Sequence, residues 1–228
     1  MTHVKICGIT NLDDAILANE LGAEFLGMIF VSSSPRHVQL DTAKRIAERL
    51  RDEIRLVGVF QNSDLNDVQY IAEELDLDLI QLHGTEEPEF CGELERPVIK
   101  VMPLKFASSG MEARGKARRY DDVALVAEMQ RYPSNVQHFI FDRPKTTDSE
   151  GWLDNAVSKI ERVQGDCRLP PYFFAGGLNS LNVSAVIDRL KPFAVDVASG
   201  VEARPGIKDK RLLAEFIAAC HKNSTIQS

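Results

Sequence analysis

Residues 172–200 read YFFAGGLNSLNVSAVIDRLKPFAVDVASG and contain one complete strand–helix–strand unit. Two short apolar runs, Tyr172–Ala175 and Val195–Ala198, enclose a stretch whose apolar residues recur at the i, i+3, i+4 and i+7 spacing of a helix. Those residues are Val183, Val186, Ile187 and Leu190. Runs that are apolar on both faces are typical of buried parallel strands, and a single apolar stripe packs a helix against a sheet. The stretch therefore predicts a βαβ unit.

The same alternation continues over nearly the whole chain and gives eight units. The predicted strands are Val4–Cys7, Phe25–Phe30, Leu56–Phe60, Leu79–Leu82, Val98–Met102, Phe139–Asp142, Tyr172–Ala175 and Val195–Ala198. Residues suited to the helix starts are Thr10 or Asn11, Asp41, Ser63 or Asp64, and Ser180. Between Ser108 and Asn135 the pattern is broken by glycines, and only Val123–Gln130 is predicted to be helical.

Eight βα units in 228 residues predict one α/β domain, a (βα)8 TIM barrel that spans residues 1–228. A closed barrel covers both faces of its strands and leaves no free edge. The alternative is an open, doubly wound sheet. Its usual nucleotide-binding signature, GxGxxG after the first strand, is missing, because that strand leads into Cys7-Gly8-Ile9-Thr10. The barrel is the preferred interpretation.

Composition excludes several classes of function. The formal net charge of -7 argues against general binding of nucleic acid, and no apolar run is long enough for a membrane span. The N-terminus lacks the pattern of an export signal, so we expect a cytoplasmic protein. The cysteines at positions 7, 91, 167 and 220 have no metal-ligand or disulfide spacing, and we expect neither a metal nor a cofactor.

Chemically distinctive residues cluster just after the predicted strands, where the active sites of such barrels form. They are Cys7, Arg36, Gln81, His83, Asp142, the pair Gly176-Gly177 and the pair Ser199-Gly200. Glycine lets backbone amides approach a phosphate closely, and the loops after strands seven and eight form the usual phosphate site of a barrel. A phosphorylated small molecule is therefore the expected ligand.

Each of these side chains also has a structural interpretation. Cys7 can be a small buried apolar residue, His83 can donate to a backbone carbonyl, and Arg36 can lie on the surface. Asp142 directly follows an apolar run and must pair, cap a loop or titrate, since an unpaired buried charge is costly. Their common position after the strands favours function over each structural alternative.

Several motifs, in order along the chain, resemble those of the phosphoribosylanthranilate isomerases, barrel enzymes of tryptophan biosynthesis. The matching stretches are residues 5–10 (KICGIT), 22–23 (GA), 34–36 (SPR), 57–60 (VGVF), 81–84 (QLHG), 175–179 (AGGLN), 195–202 (VDVASGVE), 205–206 (PG) and 208–209 (KD). Together they extend from residue 4 to about residue 215. Motifs of this length are far more specific than a pair of glycines.

The resemblance implies an Amadori rearrangement of N-(5'-phosphoribosyl)anthranilate to 1-(o-carboxyphenylamino)-1-deoxyribulose 5-phosphate. It implies Cys7 as general base, Asp142 as general acid and Arg36 as partner of the anthranilate carboxylate. It further implies that substrate is bound by His83, Gly176, Gly177, Asp196, Ser199 and Gly200. No cofactor is implied, and either a monomer or a homodimer fits.

One loop departs from the family pattern. The family carries GGxGxxFDW after the acid, whereas residues 142–152 read DRPKTTDSEGW and keep only Gly151 and Trp152. We therefore expect residues 143–151 either to be mobile without ligand or to form a stiffer cover over the site. A related barrel enzyme acting on another sugar phosphate, or a non-catalytic barrel that binds a phosphorylated ligand, are the alternative functions.

Overall fold

A single sheet of eight parallel strands organises the chain. The structure is a computed structural model that describes residues 1–104, 116–143 and 151–222, without the side chains of residues 116–121. The strands pair in chain order, and the last pairs with the first, so the sheet closes. They are β1 (His3–Cys7), β2 (Phe25–Ile29), β3 (Arg55–Phe60), β4 (Leu79–Leu82), β5 (Val98–Pro103), β6 (Val136–Asp142), β7 (Tyr172–Phe174) and β8 (Ala194–Val197).

One helix follows each strand. The helices are α1 (Leu12–Glu20), α2 (Leu40–Leu50), α3 (Leu65–Glu74), α4 (Pro88–Gly92), α5 (Lys116–Met129), α6 (Trp152–Asp166), α7 (Val183–Leu190) and α8 (Lys210–His221). Between β8 and α8 the chain forms a short 3₁₀ turn, Ser199–Val201, and a small antiparallel hairpin of Glu202–Arg204 with Ile207–Lys208. The (βα)8 barrel predicted from the alternation is confirmed, and the open sheet is wrong because β1 and β8 are hydrogen-bonded.

Strand positions agree with the pattern more closely than helix starts do. Asn11 and Asp64 cap α1 and α3 as predicted, each accepting a backbone N–H of the first turn. Helix α2, however, begins at Leu40 rather than after Asp41. Helix α7 begins at Val183 rather than after Ser180, because the Asn179 N–H donates to Asn182 Oδ1 and the Leu181 N–H donates to Asn179 Oδ1, which folds these residues into a turn. Helix α5 extends seven residues N-terminal to its predicted start at Val123.

Aromatic side chains fill the N-terminal end of the barrel interior. The Phe25 and Phe173 rings meet edge-on at 5.3 Å, and the His138 ring stacks on Phe193 at 4.4 Å. Above them lies a layer of apolar side chains that includes Val57, Leu79, Ile99 and Ile140. This filling closes the lower part of the barrel interior, and a cavity lies at the C-terminal ends of the strands.

Along each strand, every second side chain points into the barrel, up to the open C-terminal end. Side chains two residues apart on a strand point to the same face. Ala194 belongs to the apolar filling and Asp196 follows it; Ile140 belongs to the filling and Asp142 follows it. Lys5 and Cys7 share the interior face of β1 in the same way. Strand closure therefore brings polar residues from several strands to one mouth.

Two kinds of feature, membrane-spanning helices and metal-binding clusters, are absent from the described part of the chain. No helix within it has the length and apolarity that crossing a membrane requires. Nor does it contain a cluster of His, Cys, Asp or Glu side chains arranged to hold a metal ion. The expectation for the loop at residues 143–151 falls mainly on residues 144–150, which lie outside the described residues.

Gly27 in β2 leaves the space that two interior side chains of β1 occupy. A Cβ atom at this position would lie 2.8 Å from the Cys7 sulfur and 3.0 Å from the Lys5 Nζ atom. We expect Gly27→Ala to lower the free energy of unfolding by about 1–3 kcal/mol through overpacking, measured by urea denaturation.

The matched control is Gly165→Ala in α6, where an added Cβ would meet no described atom within 4 Å apart from its chain neighbours and the backbone of its own helix. This substitution should raise stability by up to about 1 kcal/mol, because alanine has the higher helix propensity. Equal stability of the two variants would show that the space beside Gly27 is not needed.

Candidate active site

The C-terminal mouth of the barrel contains a cavity of about 300 Å³. Every residue that the sequence predicted for the site lines it: Cys7, Arg36, His83, Asp142, Gly176, Gly177, Asp196, Ser199 and Gly200. Side chains from β1, β4, β6 and β8 thus converge with loops that follow β2, β7 and β8. The structure thus brings the predicted residues together around one cavity.

Cys7 lies above a buried ion pair. The Lys5 ammonium group donates to Asp196 Oδ1 at 2.9 Å, and the Lys5 side chain is completely buried. The Cys7 sulfur and Lys5 Nζ both lie about 3 Å from the point that a Cβ of Gly27 would occupy. Burial raises the pKa of the Cys7 thiol, and the neighbouring Lys5 ammonium opposes that rise. Lys5 is thus placed to stabilise the thiolate of Cys7.

Asp142 ends β6 with its carboxyl group beside His83. Its Oδ2 atom lies 3.5 Å from His83 Nε2, and its Oδ1 accepts the Arg143 backbone N–H at 2.7 Å. On the other side of the imidazole, Gln81 Nε2 lies 3.3 Å from His83 Nδ1. Burial raises the pKa of Asp142, as does the negative charge of Asp196, while His83 acts in the opposite direction. A carboxyl group with a raised pKa keeps its proton more readily and suits a general acid.

Arg36 lies in the loop after β2 and is held by Glu202 of the small hairpin. Its Nε donates to Glu202 Oε1 at 2.9 Å, and Nη2 donates to Oε2 at 2.7 Å. The Lys208 ammonium donates to the same carboxylate at 3.1 Å and to the Cys7 carbonyl oxygen at 2.6 Å. Gly8, with φ of +74°, leaves room for the arginine stem, since a Cβ there would lie 2.7 Å from Arg36 Cδ.

The part of the cavity near Arg36 has an apolar wall. Ile29 ends β2, Val59 lies in β3, and Val31 and Pro35 belong to the loop that carries the arginine. A flat apolar group with an anionic substituent matches such a wall next to a guanidinium group.

The opposite part of the cavity is formed by backbone. Gly176 and Gly177 have φ angles of +92° and +78°, a region that favours glycine, and a Cβ on Gly176 would lie 2.7 Å from the Trp152 ring. A Cβ on Gly200 would lie 2.0 Å from the Leu178 carbonyl oxygen, so the loops after β7 and β8 approach closely. Within the described residues, no acceptor is found for the N–H groups of Gly176 and Gly177. Such amides can bind an anion.

Three charged residues of the site region were assigned no role from the sequence. Lys5, Glu202 and Lys208 all stood within the recognised motifs, yet none was singled out. For Lys5 a signal was present: a charged residue inside an otherwise apolar strand must find a partner when the strand is buried. Nothing in the sequence identified the partners of Glu202 and Lys208.

Comparisons with known proteins agree on one family. A sequence profile described as N-(5'phosphoribosyl)anthranilate (PRA) isomerase matches residues 4–219. The N-(5'-phosphoribosyl)anthranilate isomerase of Citrifermentans bemidjiense is 37% identical over 99% of this chain and 100% of its own length. The fold also matches a crystal structure of monomers generated from the dimeric phosphoribosylanthranilate isomerase of Thermotoga maritima, with a TM-score of 0.75 and 32% identity over 96% of this chain and 98% of that one.

A further solved structure contains a ligand. It is a phosphoribosyl anthranilate isomerase in complex with reduced 1-(o-carboxyphenylamino)-1-deoxyribulose 5-phosphate. Its TM-score against this chain is 0.71, with 32% identity over 96% of this chain and 98% of that one.

The environment of Cys7 predicts an unusual pH dependence of alkylation. Because burial raises the thiol pKa, the rate of Cys7 alkylation by iodoacetamide should have its midpoint above about 8.5, the value of an ordinary thiol. In Lys5→Met the midpoint should move higher still, since the positive charge that favours the thiolate is removed. Peptide mass spectrometry would measure the rate for each cysteine.

Cys167 provides an internal control, because it is partly exposed and belongs to α6's C-terminal end, away from the cavity. Its alkylation profile should be the same in both proteins. A Cys7 midpoint that does not respond to Lys5→Met would contradict the proposed electrostatic contact.

Proposed function

This chain belongs to the N-(5'-phosphoribosyl)anthranilate isomerase family, and we propose that it performs the family's reaction with Cys7 as general base and Asp142 as general acid. The proposal rests mainly on one observation: the same cavity is lined by Cys7, Asp142, Arg36 with its apolar neighbours, and the glycine loops after β7 and β8. The substrate has one chemical group for each of these features. The reaction is an isomerisation, so no external oxidant or reductant is needed.

Ring opening is the first step that the geometry supports. Asp142 gives its proton to the furanose ring oxygen while the C1'–O bond breaks and the anthranilate nitrogen forms a protonated Schiff base with C1'. The raised pKa of Asp142 keeps the proton available for this step. His83, 3.5 Å from the carboxyl group, fixes its orientation and can stabilise the carboxylate that forms.

Proton removal from C2' follows. The Cys7 thiolate takes this proton, and the electron pair of the C–H bond neutralises the Schiff base to give an enolamine. The enolamine then tautomerises to the ketone: the C2' hydroxyl loses its proton as the C2'=O bond forms, and C1' gains a proton. A thiolate is rarely populated in an apolar site, and the buried Lys5 ammonium supplies the charge that favours it.

The two parts of the cavity support one orientation of the substrate. Arg36 and its apolar wall suit the anthranilate carboxylate and ring. The backbone amides of Gly176, Gly177 and Gly200, together with Ser199, suit the phosphate. Cys7 and Asp142 then face the ribose carbons between them.

The alternative functions fit these features less well. A sugar phosphate without an aromatic acid would leave the Arg36 guanidinium and the wall of Ile29, Val31 and Val59 without partners. A non-catalytic barrel would not require an acid with a raised pKa and a thiol next to a buried ammonium group in the same cavity.

We further propose that the enzyme works in the cytoplasm on a freely diffusing phosphorylated substrate, as a monomer or a homodimer. The related enzyme from Thermotoga maritima is described as dimeric. Size-exclusion chromatography with light scattering would decide between the two states.

The role of Asp142 predicts a large loss of turnover on Asp142→Asn. The amide keeps the shape of the side chain but cannot donate the ring-opening proton, so kcat on N-(5'-phosphoribosyl)anthranilate should fall by about 10²-fold or more. A coupled fluorescence assay of substrate consumption would measure it.

Asp52→Asn, an exposed aspartate between α2 and β3, is the matched control and should retain wild-type turnover. Near-normal activity of Asp142→Asn would remove Asp142 from the mechanism. No activity in the wild-type protein itself would overturn the proposed reaction.

The proposed orientation predicts that Arg36 and the glycine turns act on different parts of the substrate. Arg36→Ala should raise KM for N-(5'-phosphoribosyl)anthranilate by about 10-fold or more, since a charge-assisted contact with the carboxylate is lost. The inhibition constant of inorganic phosphate should change little, because its site is the amide cluster at Gly177 and Gly200. Equal losses for both ligands would place Arg36 at the phosphate instead.

A further inference from the structure

Glu202 occupies one complete edge of the Arg36 guanidinium group. Arg36 Nε lies 2.9 Å from Oε1 and 3.1 Å from Oε2 of Glu202, and Nη2 lies 2.7 Å from Oε2. A guanidinium group is planar and has five N–H donors in a rigid arrangement. The contact with Glu202 takes the Nε–H and one hydrogen of Nη2.

The remaining edge of Arg36 fits a carboxylate. It carries the outward hydrogens of Nη1 and Nη2, which are parallel and spaced to bind both oxygens of one carboxylate. Arg36 lines the cavity, and its side chain is 22% exposed. Without a partner on its other edge, the flexible arginine side chain would lose its fixed plane, and the orientation of these donors would vary.

Glu202 is itself rigidly held. Its side chain is only 4% exposed, and its Oε1 accepts the Lys208 ammonium at 3.1 Å and the Gly206 N–H at 3.2 Å. Lys208 is fully buried and also donates to the carbonyl oxygens of Cys7 and Ala198. The glutamate is therefore fixed relative to the ends of β1 and β8. Burial acts to raise the pKa of Glu202, but the hydrogen bonds from Arg36 and the charge of Lys208 together outweigh it, so that the pKa is lowered and the side chain is a carboxylate.

We propose that Glu202 is a positioning residue that fixes the plane of Arg36 and leaves one guanidinium edge free for the substrate's carboxylate. Specificity for a carboxylate-bearing aromatic substrate then depends on Glu202 although it does not touch that substrate. This inference rests on the proposed function, in which Arg36 binds the anthranilate carboxylate. A purely structural role, as the counter-ion of buried Lys208, is the competing explanation.

Glu202→Gln tests the proposal, because it keeps the side-chain shape and removes the charge and one acceptor. We expect KM for N-(5'-phosphoribosyl)anthranilate to rise about tenfold, with kcat within about twofold of wild type, since the affected contact is one of binding. The inhibition constant of inorganic phosphate should be unchanged. Glu215→Gln is the matched control, since Glu215 forms an exposed ion pair with Arg211 on α8.

A double substitution separates positioning from structural support. If Glu202 acts through Arg36, adding Glu202→Gln to Arg36→Ala should raise KM no further than Arg36→Ala alone. A purely structural role predicts that the two effects add, and that phosphate inhibition weakens in parallel with substrate binding. Additive effects, or an unchanged KM in Glu202→Gln, would overturn the proposal.

Two further measurements keep the test decisive. If Glu202→Gln unfolds because Lys208 loses its counter-ion, Glu202→Asp replaces it. This variant keeps the charge but is too short to hold Arg36 and Lys208 at once, so the same rise in KM is expected, and an unchanged KM would overturn the proposal.

If the wild-type chain does not turn over the substrate, the proposed function fails, and calorimetric titration with anthranilate tests positioning alone. Glu202→Gln should then weaken anthranilate binding in the wild-type background and leave it unchanged in Arg36→Ala; any other pattern rejects the positioning role.

Discussion

The Lys5 ammonium and the Asp196 carboxylate meet across the seam at which the barrel closes. Lys5 and Asp196 are register partners of β1 and β8, and the 2.9 Å contact joins residues 191 positions apart in the sequence. Removing two charges from water is costly, and the cost is recovered only when both partners are correctly placed. The pair is therefore weak support for stability in general but a strong constraint on register, because a strand shifted by one residue would turn Lys5 or Asp196 to the opposite face.

This seam also determines the environment of the proposed base. Cys7 follows Lys5 by two residues on the same face of β1, and Gly27 of the neighbouring β2 leaves space for both side chains. The aromatic filling below excludes water from the lower interior, so the Lys5 charge acts on Cys7 through a medium of low dielectric constant. On the other side of the mouth, Asp142 lines the cavity with a partly exposed side chain, and desolvation raises its pKa. Desolvation thus favours the protonated form of the acid, while a local positive charge favours the ionised form of the base.

The sequence predicted those features that depend on residues close together along the chain. Strand periodicity predicted β4 without error. It also pointed to the predicted site residues, because all of them except Asp196, which lies inside β8, end a strand or follow one. The start of α7 was predicted less well, because Ser180 suits a cap, whereas the side-chain hydrogen bonds of Asn179 and Asn182 in the folded loop delay the helix to Val183. The partners of charged residues could not be predicted, because Arg36 and Glu202 are 166 positions apart and meet only after closure.

Contacts between the first and last βα units complete the site, so the site forms only when β8 pairs with β1 and the barrel closes. Lys208, which follows β8, donates to the carbonyl oxygen of Cys7 in β1, and its backbone N–H is accepted by Asp14 at the start of α1. Neither Cys7 nor Arg36 can reach its final environment from the first βα units alone, because Asp196, Glu202 and Lys208 all come from the last. Strands β2 to β7 can pair locally in chain order, but the charges around the base and the arginine are balanced only when β8 has joined β1. The chemistry proposed for this mouth therefore depends on the contact that forms between the most distant parts of the sequence.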